Sequence, residues 1–255
     1  MAFRENLGPS GDFGGRPQVA SDALTGLHRP VWIAFFLFVL VFVAAQLIWP
    51  GDYVGKDNDD IMRLVVVRDF LQGQGWFDNK QYRLGMAGGT PMHWSRLVDL
   101  PLAFLIQFFS LFLSQTNAEK AALLVWPLLT VVPLLYAVAA GSRRMGQKEW
   151  RVAGFIGLIG AVLFVLSSNR FRPGSIDHHN VQLAIMAVLA ACLIQSPARA
   201  KLHGLAGFCA ALAIAIGAET TPLIAVACGI VAVNWFWYGE RARGATLVFG
   251  VALAI

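Results

Sequence analysis

The stretch KDNDDIMRLVVVRDFLQGQGWFD, which starts at Lys56, places Asp57, Asp59 and Asp60 within four positions. Carboxylates packed this closely raise one another's pKa unless a cation lies among them. Part of the cluster fits a helix start, with an Asp or Asn cap, acids in the first turn and Gly73 to close the helix. A cap uses one or two acids; a divalent metal would remove the remaining repulsion. A second group, Asp177-His178-His179, lies farther along the chain. Asp and His at positions i and i+2 face one ion when the backbone is extended. An oxygen-plus-imidazole set suits Mn²⁺, Fe²⁺ or Zn²⁺ better than Ca²⁺, and Mg²⁺ is admissible. Taken alone, such a loop is also an ordinary solvated one.

A third stretch, QYRLGMAGGTPMHWSRLVDLP, supplies Gly85, Gly88 and Gly89 for tight or flexible backbone, then His93, Trp94 and Arg96. Trp94 and Arg96 there suit an interfacial anchor with a snorkelling cation. Alternatively, Arg63, Arg83, Arg96, Arg170 and Arg172 offer guanidinium forks that match phosphate oxygens. Some of these arginines must balance loop acids, which leaves two or three for a ligand. Glu219, just before Thr220, Thr221 and Pro222, reads first as an acid opening a helix and second as a ligand contact. Walker, GxGxxG, HExxH and GxSxG patterns are absent, and no Ser-His-Asp triad can be assembled.

The elements that must position these groups are apolar. The chain has 255 residues, of which 57% are hydrophobic and 14% charged, against about 25% charged in soluble domains. Long apolar runs with short polar breaks predict an all-α, polytopic transmembrane helix bundle of about seven spans. They are Val31–Trp49, Ala121–Ala140, Val152–Ser168, Val181–Gln195, Gly204–Gly217, Pro222–Tyr238 and a run from Ala245. Residues 1–30 read as a cytoplasmic, disordered tail and 31–255 as the membrane domain, with an outer loop over 50–120. The final run has no cap or anchor, which reads as a chain cut short. The net charge of +5 is small for a nucleic-acid binder, so no nucleic-acid partner is expected. Cys192, Cys209 and Cys228 lie in apolar runs without metal spacing and read as inert core thiols.

Charge sets the orientation. Arg16 and Arg29 precede the first span; Arg143, Arg144, Lys148 and Arg151 fill one loop, Arg199 and Lys201 another, Arg241 and Arg243 a third. All four groups fall on the cytoplasmic side if Val98–Leu113 lies in the interface or re-enters. The acids, the Asp177-His178-His179 loop and Glu219 then share the opposite face.

The ordered set DNDDIMR, GWFDNKQYRLG, PMHWSRLVDLPLA and DHHN resembles the membrane-embedded GT-C glycosyltransferases, especially the catalytic subunit of oligosaccharyltransferase in its archaeal form. The likeness spans roughly Val31 to Gln195. It implies an interfacial helix in the first outer loop and a divalent metal, Mn²⁺ or Mg²⁺, held by Asp57, Asp177 and His179. Beside it, the reading of the residues themselves gives catalytic roles to Asp57, Asp59 and Asp177, and makes Arg63, His93, Trp94, Arg96, Arg172 and Glu219 the candidate substrate contacts. The partners implied are a polyprenyl-phosphate-linked sugar, the lipid bilayer and an acceptor that is a glycan, lipid or protein. The expected place is a bacterial inner membrane, with the site on the periplasmic, extracytoplasmic face. The family's WWDYG acceptor motif is absent, which favours the broader activity over asparagine-linked protein glycosylation. A transporter or permease, and a non-catalytic protein on a transferase-like fold, are the rival readings. The apolar runs hold almost no ionisable residues, which weighs against transport.

Overall fold

A computed structural model describes residues 24, 26–48 and 52–255, residue 46 as backbone only. The expected tail and Trp49 fall largely or wholly outside that range. Nine α-helices are described: α1 His28–Ile48, α2 Asn58–Leu71, α3 Arg96–Ser110, α4 Gln115–Met145, α5 Trp150–Ser167, α6 His179–Leu193, α7 Ala200–Ile216, α8 Thr221–Tyr238 and α9 Glu240–Leu253. One two-residue antiparallel pair, β1 Lys80–Gln81 with β2 Thr90–Pro91, closes the tight segment holding Gly85, Gly88 and Gly89. All three glycines have positive φ, at 79°, 107° and 77°.

Four helical stretches are long and apolar enough to cross a membrane: His28–Ala45, Gln115–Met145, Gln147–Ser167 and Ala218–Tyr238. Three runs expected to be spans form shorter helices, with 15 residues in α6, 17 in α7 and 14 in α9. At about 1.5 Å per residue each falls short of the roughly 30 Å hydrocarbon core. The exposed surface is apolar: Ile33, Phe36 and Leu40 on α1, Phe155, Ile159 and Leu163 on α5, and Val226 and Val233 on α8 face outward.

The central helix is α4, whose 31 residues exceed the apolar run Ala121–Ala140 at both ends. Its N-terminal half, through Ala122, Leu123 and Trp126, joins a core made with α2, α3, α6, α7, α8 and α9. Its C-terminal half, from Leu128 to Ala140, joins a second core with α1 and α5. Cys192 and Cys209 are buried and Cys228 half-buried, all as free thiols.

Helix order fixes which end of the bundle carries what. The C-termini of α5 and α7 and the N-termini of α4, α6 and α8 meet at one end, where Gly174 N–H donates to the Leu123 carbonyl at 3.0 Å and Glu219 bonds Gln182 at 3.0 Å. At the other end Arg143 lies over Trp150, and Tyr136 bonds His28 at 2.8 Å. The α4–α5, α6–α7 and α8–α9 connections, with their Arg and Lys residues, are therefore at that second end. Helix α3 starts beside Asp177 and leads within a few residues into the start of α4. Both of its ends lie at the first end of the bundle, so it does not run from one end to the other. It buries Val98, Leu102 and Ile106 while exposing Leu97, Leu100, Phe104 and Phe108.

Candidate functional site

Two loops meet at that first end through their backbones. Gly55 N–H donates to the Gly174 carbonyl at 2.9 Å. Gly174 sits at φ 88°, and a Cβ there would stand 2.7 Å from both Gly55 N and the Tyr53 carbonyl. Only glycine combines that left-handed conformation with so close an approach. Asp60 completes the clasp: its buried Oδ1 accepts the N–H groups of Ile176 at 2.8 Å and Asp177 at 2.9 Å. Burial pushes the Asp60 carboxyl up, against the pull of those two N–H donors.

Asp57 has the N-cap role that the local sequence allowed; its Oδ1 accepts the Asp59 N–H at 3.3 Å. Asp59 and Asp60 occupy the first turn of α2, and Gly73 follows its end at φ 101°. Helix periodicity then turns Asp60 and Arg63, i and i+3, toward the core while Asp59 stays exposed.

Arg63 is the hub of a buried floor and is 0% exposed. Its Nη1 donates to Asp99 Oδ1 at 2.8 Å, its Nη2 to Asp177 Oδ1 at 3.4 Å, and its Cζ lies 4.6 Å from the Trp94 ring centre. Arg96 donates to the other Asp99 oxygen at 3.2 Å and to the Asp78 carbonyl at 2.7 Å. Burial drives the Asp99 carboxyl up, with Arg63 and Arg96 opposing it. Such charges are tolerable because each acid meets a guanidinium.

Asp177, the last residue before the turn into α6, is also buried. Burial alone would raise its pKa, but the His178 hydrogen bond and charge, with Arg63, hold it well below the usual carboxylate range. His178 Nδ1 lies 2.6 Å from Asp177 Oδ1 and its Nε2 3.3 Å from Glu219 Oε1. Glu219 Oε2 in turn accepts from Gln182 at 3.0 Å. Glu219 therefore reaches across to α6, whereas the sequence placed it first as a cap acid.

The outer rim is half exposed. His179 Nε2 stands 3.3 Å from Asp177 Oδ2. The extended backbone expected of Asp177-His178-His179 is replaced by a helix start: His178 has φ −68° and ψ −15°, and His179 is the first residue of α6. The two side chains converge across that first turn instead. Arg170 Nη1 lies 2.9 Å from Asp57 Oδ2 and 3.9 Å from Asp177 Oδ2. The positive charge common to the two loops is thus a guanidinium of the chain itself.

The donor set can be tested against a divalent ion. Asp177, His178 and His179 each offer a ligand atom within 4.8 Å of the others. Asp177 Oδ2 is buried with no hydrogen bond, and carboxylate plus imidazole is an appropriate set for Mn²⁺. His178 has both ring nitrogens engaged by protein groups, which leaves Asp177 Oδ2 and His179 Nε2 as the better-disposed pair. Asp57 stands outside this group, on the far side of Arg170.

The remaining expected residues separate by burial. Arg63, Trp94 and Arg96, expected at the substrate, are buried and turned to protein partners, which gives them a supporting position. Trp94 is accordingly no interfacial anchor. Arg83 is spent on Asp69 at 2.7 Å. His93 and Arg172 are exposed. Asp60, Asp99, Arg170 and His178 carry more of the geometry than their local sequence signalled. Asp99 was visible only as a charge opening an apolar segment, and its partner lies 36 residues away. No family model, curated protein or solved structure matches the chain.

Proposed function

We propose that the chain is an integral membrane glycosyltransferase that moves a sugar or oligosaccharide from a polyprenyl-(pyro)phosphate donor to an acceptor on the extracytoplasmic face. The observation that carries this reading is the clasp of the Asp57 loop onto the Asp177-His178-His179 loop, at the end of the bundle opposite the basic connections. Those are the two loops the family likeness requires to meet. In the membrane, α6, α7 and α9 would complete seven spans with the four longer helices, and α3 would lie in the interface with its Phe104 and Phe108 face toward lipid.

Asp177 and His179 would hold a divalent ion, Mn²⁺ or Mg²⁺, with Asp57 joining them where Arg170 gives way; Asp177 Oδ2, buried without a hydrogen bond, supports Asp177 as a ligand. Bound there, the ion supplies Lewis-acid neutralisation of the phosphate leaving group. Arg170 and the exposed Arg172 add positive charge where phosphate charge grows. Asp59, exposed beside Asp57, or Asp57 itself orients the acceptor and takes its proton. Asp60 and Arg63 hold the loops so that these groups need not reorganise. Glu219 anchors His178, and His93 stands at the solvent edge of the first loop.

The test is transfer from a labelled polyprenyl-diphosphate sugar by the full-length protein in liposomes. The Asp57→Ala/Asp177→Ala variant should lose transfer and its dependence on divalent ion. Retained transfer would remove the site assignment.

A further inference from the structure

Proline lacks the N–H that an α-helix returns to the carbonyl four residues back, and its ring crowds that same carbonyl. Helix α4 carries two prolines in its interior, Pro127 and Pro133, so the carbonyls of Leu123 and Leu129 both lose their helical donor. Their surroundings differ. Leu129 is exposed on the apolar outside of the bundle, whereas Leu123 is fully buried, in the core that also holds Ile176. A carbonyl buried there is costly without a donor. Leu123 takes one from outside the helix, the Gly174 N–H at 3.0 Å. The Gly174 carbonyl in turn accepts the Gly55 N–H at 2.9 Å. One chain of backbone hydrogen bonds thus runs from α4 through the Asp177 loop to the Asp57 loop.

We infer that Pro127 is a positioning residue for the Asp177 loop: by withholding an N–H it leaves the Leu123 carbonyl open as the point on α4 where Gly174, and with it Asp177, is docked. The segment between the two is short and fastened. Ser175 Oγ donates to the Asn169 carbonyl at 2.8 Å, Asn180 Nδ2 donates to the Ser175 carbonyl at 2.9 Å, and Ile176 is buried. A shift of Gly174 therefore reaches Asp177 with little slack to absorb it. With alanine at position 127 the helix supplies its own N–H to Leu123, and Gly174 must share or surrender that carbonyl. The anchor stands on the backbone geometry alone; its consequence for a cation rests on the site proposed above.

Hydrogen exchange of the Gly174 amide, followed by NMR of the glycine-labelled full chain in detergent, tests it. Pro127→Ala should speed that exchange by about tenfold. Pro133→Ala, the same change farther along α4, should speed it by less than about twofold. Lactic acid at position 127, an alanine analogue with an ester oxygen in place of the N–H, should restore the wild-type rate. Mn²⁺ binding, read by electron paramagnetic resonance, should weaken by about tenfold in Pro127→Ala and recover with lactic acid. Unchanged Gly174 exchange in Pro127→Ala, equal acceleration in Pro133→Ala, or no recovery with lactic acid overturns the anchor, the last by assigning the effect to the proline ring. Faster exchange with an unchanged Mn²⁺ isotherm overturns the positioning role. A wild-type chain that binds no Mn²⁺, with Gly174 exchange responding as expected, removes the cation site and leaves the anchor in place.

Discussion

The floor and the rim of the Asp177 site use the same residue types for opposite ends. On the floor, Arg63 and Asp99 are 0% and 1% exposed and bond each other at 2.8 Å. On the rim, Arg170 and Asp57 bond at nearly the same distance, 2.9 Å, but each is 40% exposed. An ion pair out of water must stay paired, because separating it leaves an uncompensated charge in a poor solvent. An ion pair in contact with water exchanges partners at little cost. The floor therefore builds shape, and the rim is free to meet a ligand.

The largest effect expected from this contrast is on folding. Arg63→Ala strands Asp99 and Asp177 without their shared guanidinium, and thermal unfolding in detergent should show a loss of about 3–5 kcal/mol. Asp57→Asn should divide the regions the other way. Transfer should fall on the order of 10²-fold or more, while stability changes by less than about 1 kcal/mol. If Asp57→Asn unfolds the protein as Arg63→Ala does, floor and rim are one structural unit.

Between them lies the glycine clasp. Gly174→Ala forces a side chain into φ 88° and against Tyr53 and Gly55, at a cost of about 1–3 kcal/mol. Faster amide exchange across residues 53–60 and 174–177 would register the separated loops; unchanged exchange would show that Asp60 alone holds them. A smaller change is expected from Arg170→Gln. Removing the guanidinium beside Asp57 removes a competitor for Mn²⁺, so calorimetric titration should show tighter binding, and weaker binding would make Arg170 a support for the ion's ligands. Arg172→Gln, at an exposed position, should raise the KM for donor a few-fold and leave stability unchanged; a drop in kcat alone would give it a role in the transition state.

How much of this could be read in advance follows from what a linear sequence records. Helices α1, α5 and α8 lie within a few residues of their apolar runs because the hydropathy of those runs is their reason to be helical. The ends of α4 were missed at Gln115 and Met145 because those turns are polar and their support is tertiary: Arg68 on Glu119 at 2.6 Å, and Arg143 over Trp150. The expected seven-span count treated α6, α7 and α9 as equal to the rest, although their helices are shorter. At the site, residue type and spacing paired Asp177 with His179, whose Oδ2 and Nε2 lie 3.3 Å apart, whereas Asp57 was singled out from its neighbours only by the family resemblance. Asp60 and Asp59 were indistinguishable by sequence, since burial depends on which face of α2 turns inward. Arg170 was visible only as one of several arginines, and only the fold brings it between Asp57 and Asp177.

Asp57 and Asp177 stand 120 positions apart in sequence, and in the proposed site they serve one cation. Titration of Mn²⁺ into the full-length protein, followed by electron paramagnetic resonance, measures it directly. The wild-type chain should bind one ion, Asp57→Ala should weaken that binding by about tenfold or more, and Asp57→Ala/Asp177→Ala should abolish it. An unchanged Mn²⁺ isotherm in the double variant would exclude a cation held by these two carboxylates.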